Sequence, residues 1–144
     1  MLYRVNERFS FGDESTPEQL KNLAAQGYKT VIDLCTPEEG RQIAAAQAQQ
    51  AGLALRQVPV SVNALSADTV QKFIDSAGHA AGPVYVRCAS GKRAGLMTLL
   101  ALATEENWPE EKFFEQVHAA GFDCSSAPAL AQFAQEYMRG LRNR

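Results

Sequence analysis

The residues best suited to chemistry lie together in the segment Cys-Ala-Ser-Gly-Lys-Arg at residues 88–93. Cys88 is a nucleophile in its thiolate form, and Arg93 carries a planar guanidinium that can bind a phosphate or sulfate through two parallel hydrogen bonds. Between them lie mostly small residues, which are typical of a tight turn whose backbone N–H groups converge on an anion. The segment therefore predicts a thiolate and an oxyanion receptor in one loop.

The segments on either side of this loop would hold it in place. Residues 84–87 are β-branched, aromatic and basic (Val-Tyr-Val-Arg), which predicts a buried strand that ends just before Cys88. Residues 94–103 are a long apolar run, which predicts a helix that Arg93 opens. The N-terminus of a helix carries partial positive charge, so it and the guanidinium both favour a thiolate at Cys88.

Backbone N–H groups of consecutive loop residues are predicted to hold the oxyanion. Gly91 allows the backbone conformation that turns these groups inward. The side chain of Lys92 either adds positive charge to the site or faces solvent, and the sequence leaves both readings open. The predicted oxyanion-binding residues are Ala89, Ser90, Gly91, Lys92 and Arg93.

Strand and helix patterns alternate along the rest of the chain. Residues 2–11 predict one or two short strands, and residues 28–34 and 53–60 predict two more. Capping patterns indicate helix starts at Thr16, at Ser66 and at Thr36, with the helix from Thr36 ending at Gly52. Two further helices are expected after the apolar one. This order predicts an α/β fold of three layers, α/β/α, around a central sheet of four or five mostly parallel strands.

Two cysteines are expected at the same edge of that sheet. Cys35 follows the strand at residues 28–34 and Cys88 follows the strand at residues 84–87, and ligands of such sheets bind beyond the carboxyl ends of the strands. We expect mild oxidation to join Cys35 to Cys88 and protect the nucleophile, the alternative being that Cys35 is a small buried core residue. Cys124 has no evident partner in the sequence.

Composition limits the classes of function. The chain has 144 residues, 46% hydrophobic and 21% charged, which predicts one globular domain over residues 1–144. A net charge of −2 argues against nucleic acid or an anionic membrane as partner. An odd count of three cysteines predicts a reducing compartment, the cytoplasm by default. No signal peptide, membrane-spanning segment or zinc-ligand spacing is apparent, and His79 and His118 are expected to be surface or packing residues.

Several segments resemble the bacterial protein-tyrosine-phosphatase-like family, the domain of unknown function 442 group, which occurs alone or fused to metallo-β-lactamase-like domains. The resemblance covers roughly residues 9–102. It implies a fold like that of protein tyrosine phosphatases and an activity that needs no metal or organic cofactor. The matching segments are Thr-Pro-Glu-Gln-Leu at 16–20, Gly-Tyr-Lys-Thr-Val-Ile-Asp-Leu at 27–34, Val-Pro-Val at 58–60 and the loop at 88–93.

The resemblance implies that Cys88 attacks phosphorus and forms a cysteinyl-phosphate, while Arg93 stabilises the transition state. The implied substrate is a phosphorylated protein, with phosphotyrosine as one candidate, or a small phosphate ester. Two positions depart from the usual pattern of the phosphatase superfamily. Arg87 stands where a histidine is usual, and Ala94 stands where a serine or threonine hydroxyl usually contacts the thiolate, so turnover is expected to be weak unless Ser90 partly substitutes.

The proton donor for the leaving group is less clear from the sequence. Relatives place an aspartate just past the strand that ends with residues 58–60, whereas residues 61–65 here carry no carboxylate. Asp68, in the first turn of the next helix, is the nearest candidate, although a carboxylate there also suits the helix dipole. Asp123 and Glu38 are more remote candidates.

Two other functions stay open. The loop has four residues between Cys88 and Arg93, a length typical of rhodanese-type sulfurtransferases, and residues 31–39 resemble a segment of that family, so sulfur transfer through a Cys88 persulfide is an alternative. The downstream Gly-His-Ile-Pro-Gly-Ala run of that family is missing. The second alternative is a domain that binds oxyanions without turnover, which Ala94 and the uncertain acid would explain.

Overall fold

A computed structural model describes residues 2–121 and 127–143. Five strands form one sheet in the order β1-β2-β5-β3-β4. Strand β1 is antiparallel to β2, and the other neighbouring pairs are parallel. The strands are β1 Leu2–Arg4, β2 Phe9–Gly12, β3 Thr30–Asp33, β4 Ala54–Gln57 and β5 Val84–Arg87. The predicted α/β class and the mostly parallel sheet are confirmed.

Six α-helices cover the sheet in the described part of the chain. Helices α1 and α2 share a core with Val31 and Tyr85 on one face, while the others share a core with Ile32 and Val86 on the opposite face. This alternation along β3 and β5 follows the two-residue period of a strand and gives the predicted three layers. The helices are α1 Pro17–Ala25, α2 Ala45–Ala51, α3 Ala67–Gly78, α4 Lys92–Glu106, α5 Glu110–Ala119 and α6 Pro128–Arg142.

Helix α4 lies at the centre of the larger core. Every residue from 94 to 103 is buried, in agreement with the apolar run that predicted this helix. It contacts β2, β5, α3, α5 and α6. Since burial on all sides fixes the axis of α4, it also fixes the loop at its N-terminus.

Two predicted helix starts are confirmed as capping boxes. The Thr16 side chain accepts from the backbone N–H of Gln19, and the Gln19 side chain accepts from the Thr16 N–H in return. Ser66 and Thr69 make the same reciprocal pair at the start of α3. Each pair satisfies two of the N–H groups that a helix start leaves without partners.

The predicted helix from Thr36 to Gly52 is wrong in its first half. A single 3-10 turn spans Pro37–Glu39, Gly40 follows with φ 66°, and α2 begins only at Ala45. The left-handed residue ends the turn, and the backbone beyond it binds side chains of the sheet instead of continuing a helix. The strands predicted at residues 28–34 and 53–60 are also shorter, at Thr30–Asp33 and Ala54–Gln57.

Among the described residues, no helix has the length and apolar character needed to cross a bilayer.

Candidate active site

The loop that holds Cys88 connects the end of β5 to the start of α4. The backbone N–H of Cys88 donates to the carbonyl of Gly12 over 3.2 Å, so the loop is tied to the end of β2 as well. Gly91 has φ 87° and serves as the N-cap of α4. A Cβ at Gly91 would lie 3.5 Å from the carbonyl carbon of Gly12, which is an ordinary contact, so it is the left-handed backbone that favours glycine here.

The sulfur of Cys88 lies inside the first turn of α4 and is completely buried. It accepts hydrogen bonds from the backbone N–H groups of Gly91 at 3.1 Å and Ala94 at 3.3 Å. The positive end of a helix and two N–H donors are features that stabilise negative charge on an acceptor. Although Ala94 lacks the expected hydroxyl, its backbone N–H makes a contact with the sulfur.

Arg93 projects from the first turn of α4 and is held in a fixed plane. Nη1 donates to Oε2 of Glu39 at 2.8 Å and to the carbonyl of Val60 at 2.8 Å, while Nη2 donates to Oε1 of Glu39 at 2.6 Å. This is a two-pronged pair between a guanidinium and a carboxylate, the strong form of such contacts. Glu39 follows β3 and Val60 follows β4, so two strand ends orient the guanidinium.

Charge at this pair is stable across the ordinary pH range. The hydrogen bond from Arg93 lowers the pKa of Glu39 to about 2, although partial burial opposes the shift. The same bond raises the pKa of Arg93 above its usual value. Glu39 therefore stays a carboxylate and does not donate protons near neutral pH.

Sequence reasoning missed Glu39, although the signal was present. Its carboxylate accepts from the backbone N–H of Thr36 at 2.6 Å and from the Thr36 hydroxyl at 3.0 Å. The Thr-Pro-Glu-Glu pattern predicted this capping contact, but only the fold brings residue 39 to Arg93, 54 residues later.

Beneath the loop lies a second ion pair that the sequence did not indicate. Nη1 of Arg87 lies 3.2 Å from Oδ1 of Asp33, 3.2 Å from Sγ of Cys35 and 2.6 Å from the carbonyl of Arg41. Both charged side chains are buried. Burial raises the pKa of the Cys35 thiol to about 11, with Arg87 opposing the shift.

The predicted acid candidates lie outside this arrangement. Asp68 occupies the first turn of α3, where its side chain is 73% exposed and its carboxylate lies 3.3 Å from Nζ of Lys72. Glu38 is exposed. Asp123, like Cys124, lies outside the described residues.

Ser90, the hydroxyl residue of the loop, lies at the protein surface. Ser90 is exposed, and its Oγ accepts from the backbone N–H of Lys92 at 3.4 Å. His79 and His118 are exposed, as predicted. In the described ranges, no group of three or more His, Cys, Asp or Glu side chains is arranged to hold a metal ion.

A cleft of about 330 Å³ is lined by residues that neighbour Glu39 and Val60 in the chain, the two residues that bind Arg93. It lies between the turn before Glu39, the segment around Val60, and α3. Its walls include prolines, hydroxyl groups and the Lys72 side chain, so it can contact both apolar and polar parts of a ligand. The lining residues are Thr36, Pro37, Glu38, Val58, Pro59, Ser61, Ala64, Thr69 and Lys72.

Known proteins with similar sequences share part of their length with this chain. The beta-lactamase hydrolase-like protein of Xylella fastidiosa (strain Temecula1) is 29% identical over 128 residues, which cover 85% of this chain and 30% of that protein. The protein of the same name from Agrobacterium fabrum (strain C58) is 26% identical over 129 residues, 86% of this chain and 30% of its own. The chain thus spans about a third of the length of these relatives.

A solved structure has the same fold. TpbA of P. aeruginosa superimposes with a TM-score of 0.81 at 19% identity, over 98% of this chain and 88% of that one.

The family comparison covers most of the chain, including the whole loop around Cys88. The family described as "DSP-PTPase phosphatase fused to NAD+ Kinase" matches residues 4–128. The chain therefore belongs to this phosphatase family, a family of hydrolases.

Proposed function

We propose that this chain hydrolyses phosphate monoesters through a covalent intermediate on Cys88. The observation that carries the proposal is the sulfur itself, which receives the N–H groups of Gly91 and Ala94 at the start of α4, next to a fixed guanidinium. The thiolate attacks phosphorus, the P–O bond to the leaving group breaks, and water then releases phosphate and regenerates the thiolate.

In this proposal the backbone N–H groups of residues 89–93 surround the equatorial oxygens of the phosphoryl group. The contacts of Arg93 with Glu39 and Val60 engage both N–H groups of Nη1 and one of Nη2. An oxyanion would therefore be bound through Nε and the second N–H of Nη2. Because Glu39 fixes the guanidinium plane beforehand, little reorganisation is needed when charge develops on the oxygens.

Asp68 is the proposed proton donor to the leaving group. It lies in the first turn of α3, the helix that supplies Thr69 and Lys72 to the cleft. To reach a leaving group, its carboxyl group must turn away from Nζ of Lys72, which lies 3.3 Å from it. The other interpretation of the same position is a carboxylate that stabilises the start of α3, and substitution by asparagine distinguishes the two.

Phosphate esters are the substrate class, and aryl esters such as phosphotyrosine are the proposed subset. Support comes from the fold neighbour TpbA, which has been solved in complex with phosphotyrosine. In this proposal, the cleft lined by the chain neighbours of Glu39 and Val60 takes the groups attached to the phosphate. The proposed location is a reducing compartment such as the cytoplasm, which agrees with the free thiols at Cys35 and Cys88.

Cys35 is the proposed redox partner of Cys88. Strands β3 and β5 are neighbours, and the N–H of Leu34 donates to the carbonyl of Arg87, so the two cysteines follow paired strand ends. Peroxide would convert the Cys88 thiolate to a sulfenic acid, and the Cys35 thiol would then displace water to form the disulfide. Peptide mapping after peroxide treatment should find the linked peptides, and finding Cys88 only as sulfinic acid would refute the pairing.

Sulfur transfer is the second candidate function. The observation that favours it is the short loop, which places four residues between Cys88 and Arg93. The N–H groups on the sulfur would stabilise a persulfide as they would a thiolate. A domain that binds oxyanions without turnover is the remaining alternative.

One comparison of activities tests these candidates. The proposal expects phosphate release from p-nitrophenyl phosphate that Cys88→Ser abolishes, while Cys124→Ser, a matched exchange outside the motif, retains it. Thiocyanate formation from thiosulfate and cyanide without phosphate release would establish sulfur transfer instead. Tight vanadate binding with neither activity would establish an oxyanion-binding domain and refute the proposed hydrolysis.

A further inference from the structure

Arg87 precedes Cys88 in the chain, and its side chain lies beneath the loop. The residue is buried, with 4% of its surface exposed. A single nitrogen, Nη1, contacts the Asp33 carboxylate and the Arg41 carbonyl. The Nε atom is buried without an acceptor, the one such side-chain N or O atom within residues 2–121 and 127–143. A buried donor without a partner costs stability. The contacts of Nη1 with Asp33 and Arg41 therefore hold the guanidinium in this place against that cost.

Asp33 binds both ends of the segment at residues 35–43, which contains Arg41. Its Oδ1 accepts from the N–H of Cys35 at 3.2 Å, and its Oδ2 accepts from the N–H of Ile43 at 2.7 Å. Together, Asp33 and Arg87 bind the backbone at the start of residues 35–43 and again at their end. The predicted helix is absent over these residues. Backbone groups of Cys35, Arg41 and Ile43 bind Asp33 and Arg87 instead.

Glu39 lies in the middle of residues 35–43 and is the residue that orients Arg93. The side chain of Arg87 contacts Asp33, Cys35 and the Arg41 carbonyl, so we expect its effect on the guanidinium of Arg93 to run through residues 35–43. A fixed start and end leave the turn at Glu39 few alternative positions. The Glu39 carboxylate is then held in one position and one plane relative to the Arg93 guanidinium.

We propose that Arg87 is a positioning residue, which with Asp33 clamps residues 35–43 so that Glu39 holds Arg93 ready for the oxyanion. This inference rests on the proposed function, in which Arg93 binds the phosphoryl group. It gives a role to the position where the superfamily usually has histidine.

The test is a double-mutant cycle with Arg87→Lys and Glu39→Gln. Lysine is one bond shorter than arginine, so it keeps a positive charge in the buried site beside Asp33 but cannot place a nitrogen where Nη1 contacts Asp33 and the Arg41 carbonyl together. We expect Arg87→Lys to lower kcat for p-nitrophenyl phosphate about 10-fold, with KM within about 3-fold, since misplacing a positioned group costs up to roughly 100-fold. If Arg87 acts through Glu39, the double variant is no slower than Glu39→Gln alone.

Two controls separate positioning from general destabilisation. Arg56→Lys makes the same exchange at a half-buried arginine, one that binds Ser76 on α3, and should leave kcat unchanged. Asp33→Asn tests the clamp from its other side, because the amide keeps one acceptor oxygen and cannot bind the N–H groups of both Cys35 and Ile43. It should reproduce the fall in kcat, and it serves alone if Arg87→Lys does not fold.

The inference is overturned if Arg87→Lys leaves kcat unchanged, or if its effect multiplies fully with that of Glu39→Gln. Vanadate affinity, measured for the wild type, both single variants and the double variant, gives the same cycle without turnover. Vanadate binding needs only the oxyanion receptor. Hydrolysis that persists in Cys88→Ser would refute the proposed function instead, while the vanadate cycle would still decide the role of Arg87.

Discussion

Glu39→Gln is the perturbation that most sharply tests how Arg93 is held. The carboxylate accepts from Nη1 and Nη2 of Arg93 at 2.8 and 2.6 Å. A glutamine oxygen can accept from one of these nitrogens, but its amide N–H groups then face the other. The change removes one strong contact and the fixed plane of the guanidinium while leaving side-chain size unchanged.

The magnitude follows from exposure and geometry. A charge-assisted hydrogen bond contributes about 1.5–3 kcal/mol, and the 26% exposure of the Glu39 side chain favours the lower end. We therefore expect a loss of about 1.5–2 kcal/mol in the free energy of unfolding. A loosened Arg93 still attracts a phosphate in the ground state, so KM should stay within about 3-fold. Orientation in the transition state is lost, so kcat should fall about 10- to 100-fold.

Steady-state kinetics with p-nitrophenyl phosphate and denaturant unfolding measure the two effects separately. The matched control is Glu105→Gln, which breaks the 2.9 Å ion pair between Glu105 and Arg8 and should leave kcat unchanged. If Glu39→Gln lowers stability as expected but keeps the wild-type kcat, the Glu39–Arg93 pair does not prepare the guanidinium for catalysis and the reasoning is refuted.

Three further predictions follow from particular contacts. Gly91→Ala should lower the free energy of unfolding by about 1–2 kcal/mol, because alanine must adopt φ 87°, and an unchanged denaturation midpoint would contradict this. Asp68→Asn should lower kcat about 100-fold or more if its carboxyl is the proton donor, and an unchanged rate would assign it to the start of α3. Wild-type stability should fall as pH drops from about 4.5 through about 2, because the pKa of Glu39 is lowered on folding and its stabilisation is present only while it is ionised. Glu39→Gln should remove that part of the acid dependence, which is about 1–2 kcal/mol in the free energy of unfolding after allowance for exposure. An identical dependence of stability on pH in both proteins would argue against this role of Glu39.

Local patterns were sufficient to predict the elements that carry the loop. The run at residues 84–87 matches β5 residue for residue, because β-branched and aromatic side chains bounded by Pro83 and a small-residue turn have few other solutions. The capping patterns at Thr16 and Ser66 were equally reliable, since both partners of each box lie within three residues.

Long-range contacts explain what the sequence could not predict. The alanine- and glutamine-rich pattern after Thr36 favours helix through Gly52, yet Asp33 and Arg87 capture the backbone of Arg41 and Ile43. The partners of Glu39 and Arg93 are 54 residues apart, so their pairing depends on neighbouring strands in the finished sheet. The placement of Cys88 between a strand and a helix start could be predicted because residues 84–103 form one continuous segment, whereas the groups that orient Arg93 come from other strand ends.

In the proposed hydrolysis the phosphoryl group is transferred to Sγ of Cys88. Rapid acid quenching during turnover of p-nitrophenyl phosphate, followed by peptide mass spectrometry, tests this directly. We predict a phosphate adduct on the peptide containing Cys88 that forms in an initial burst and is absent in Cys88→Ala. Steady hydrolysis with an adduct on another residue, or continued hydrolysis by Cys88→Ala, would contradict the account.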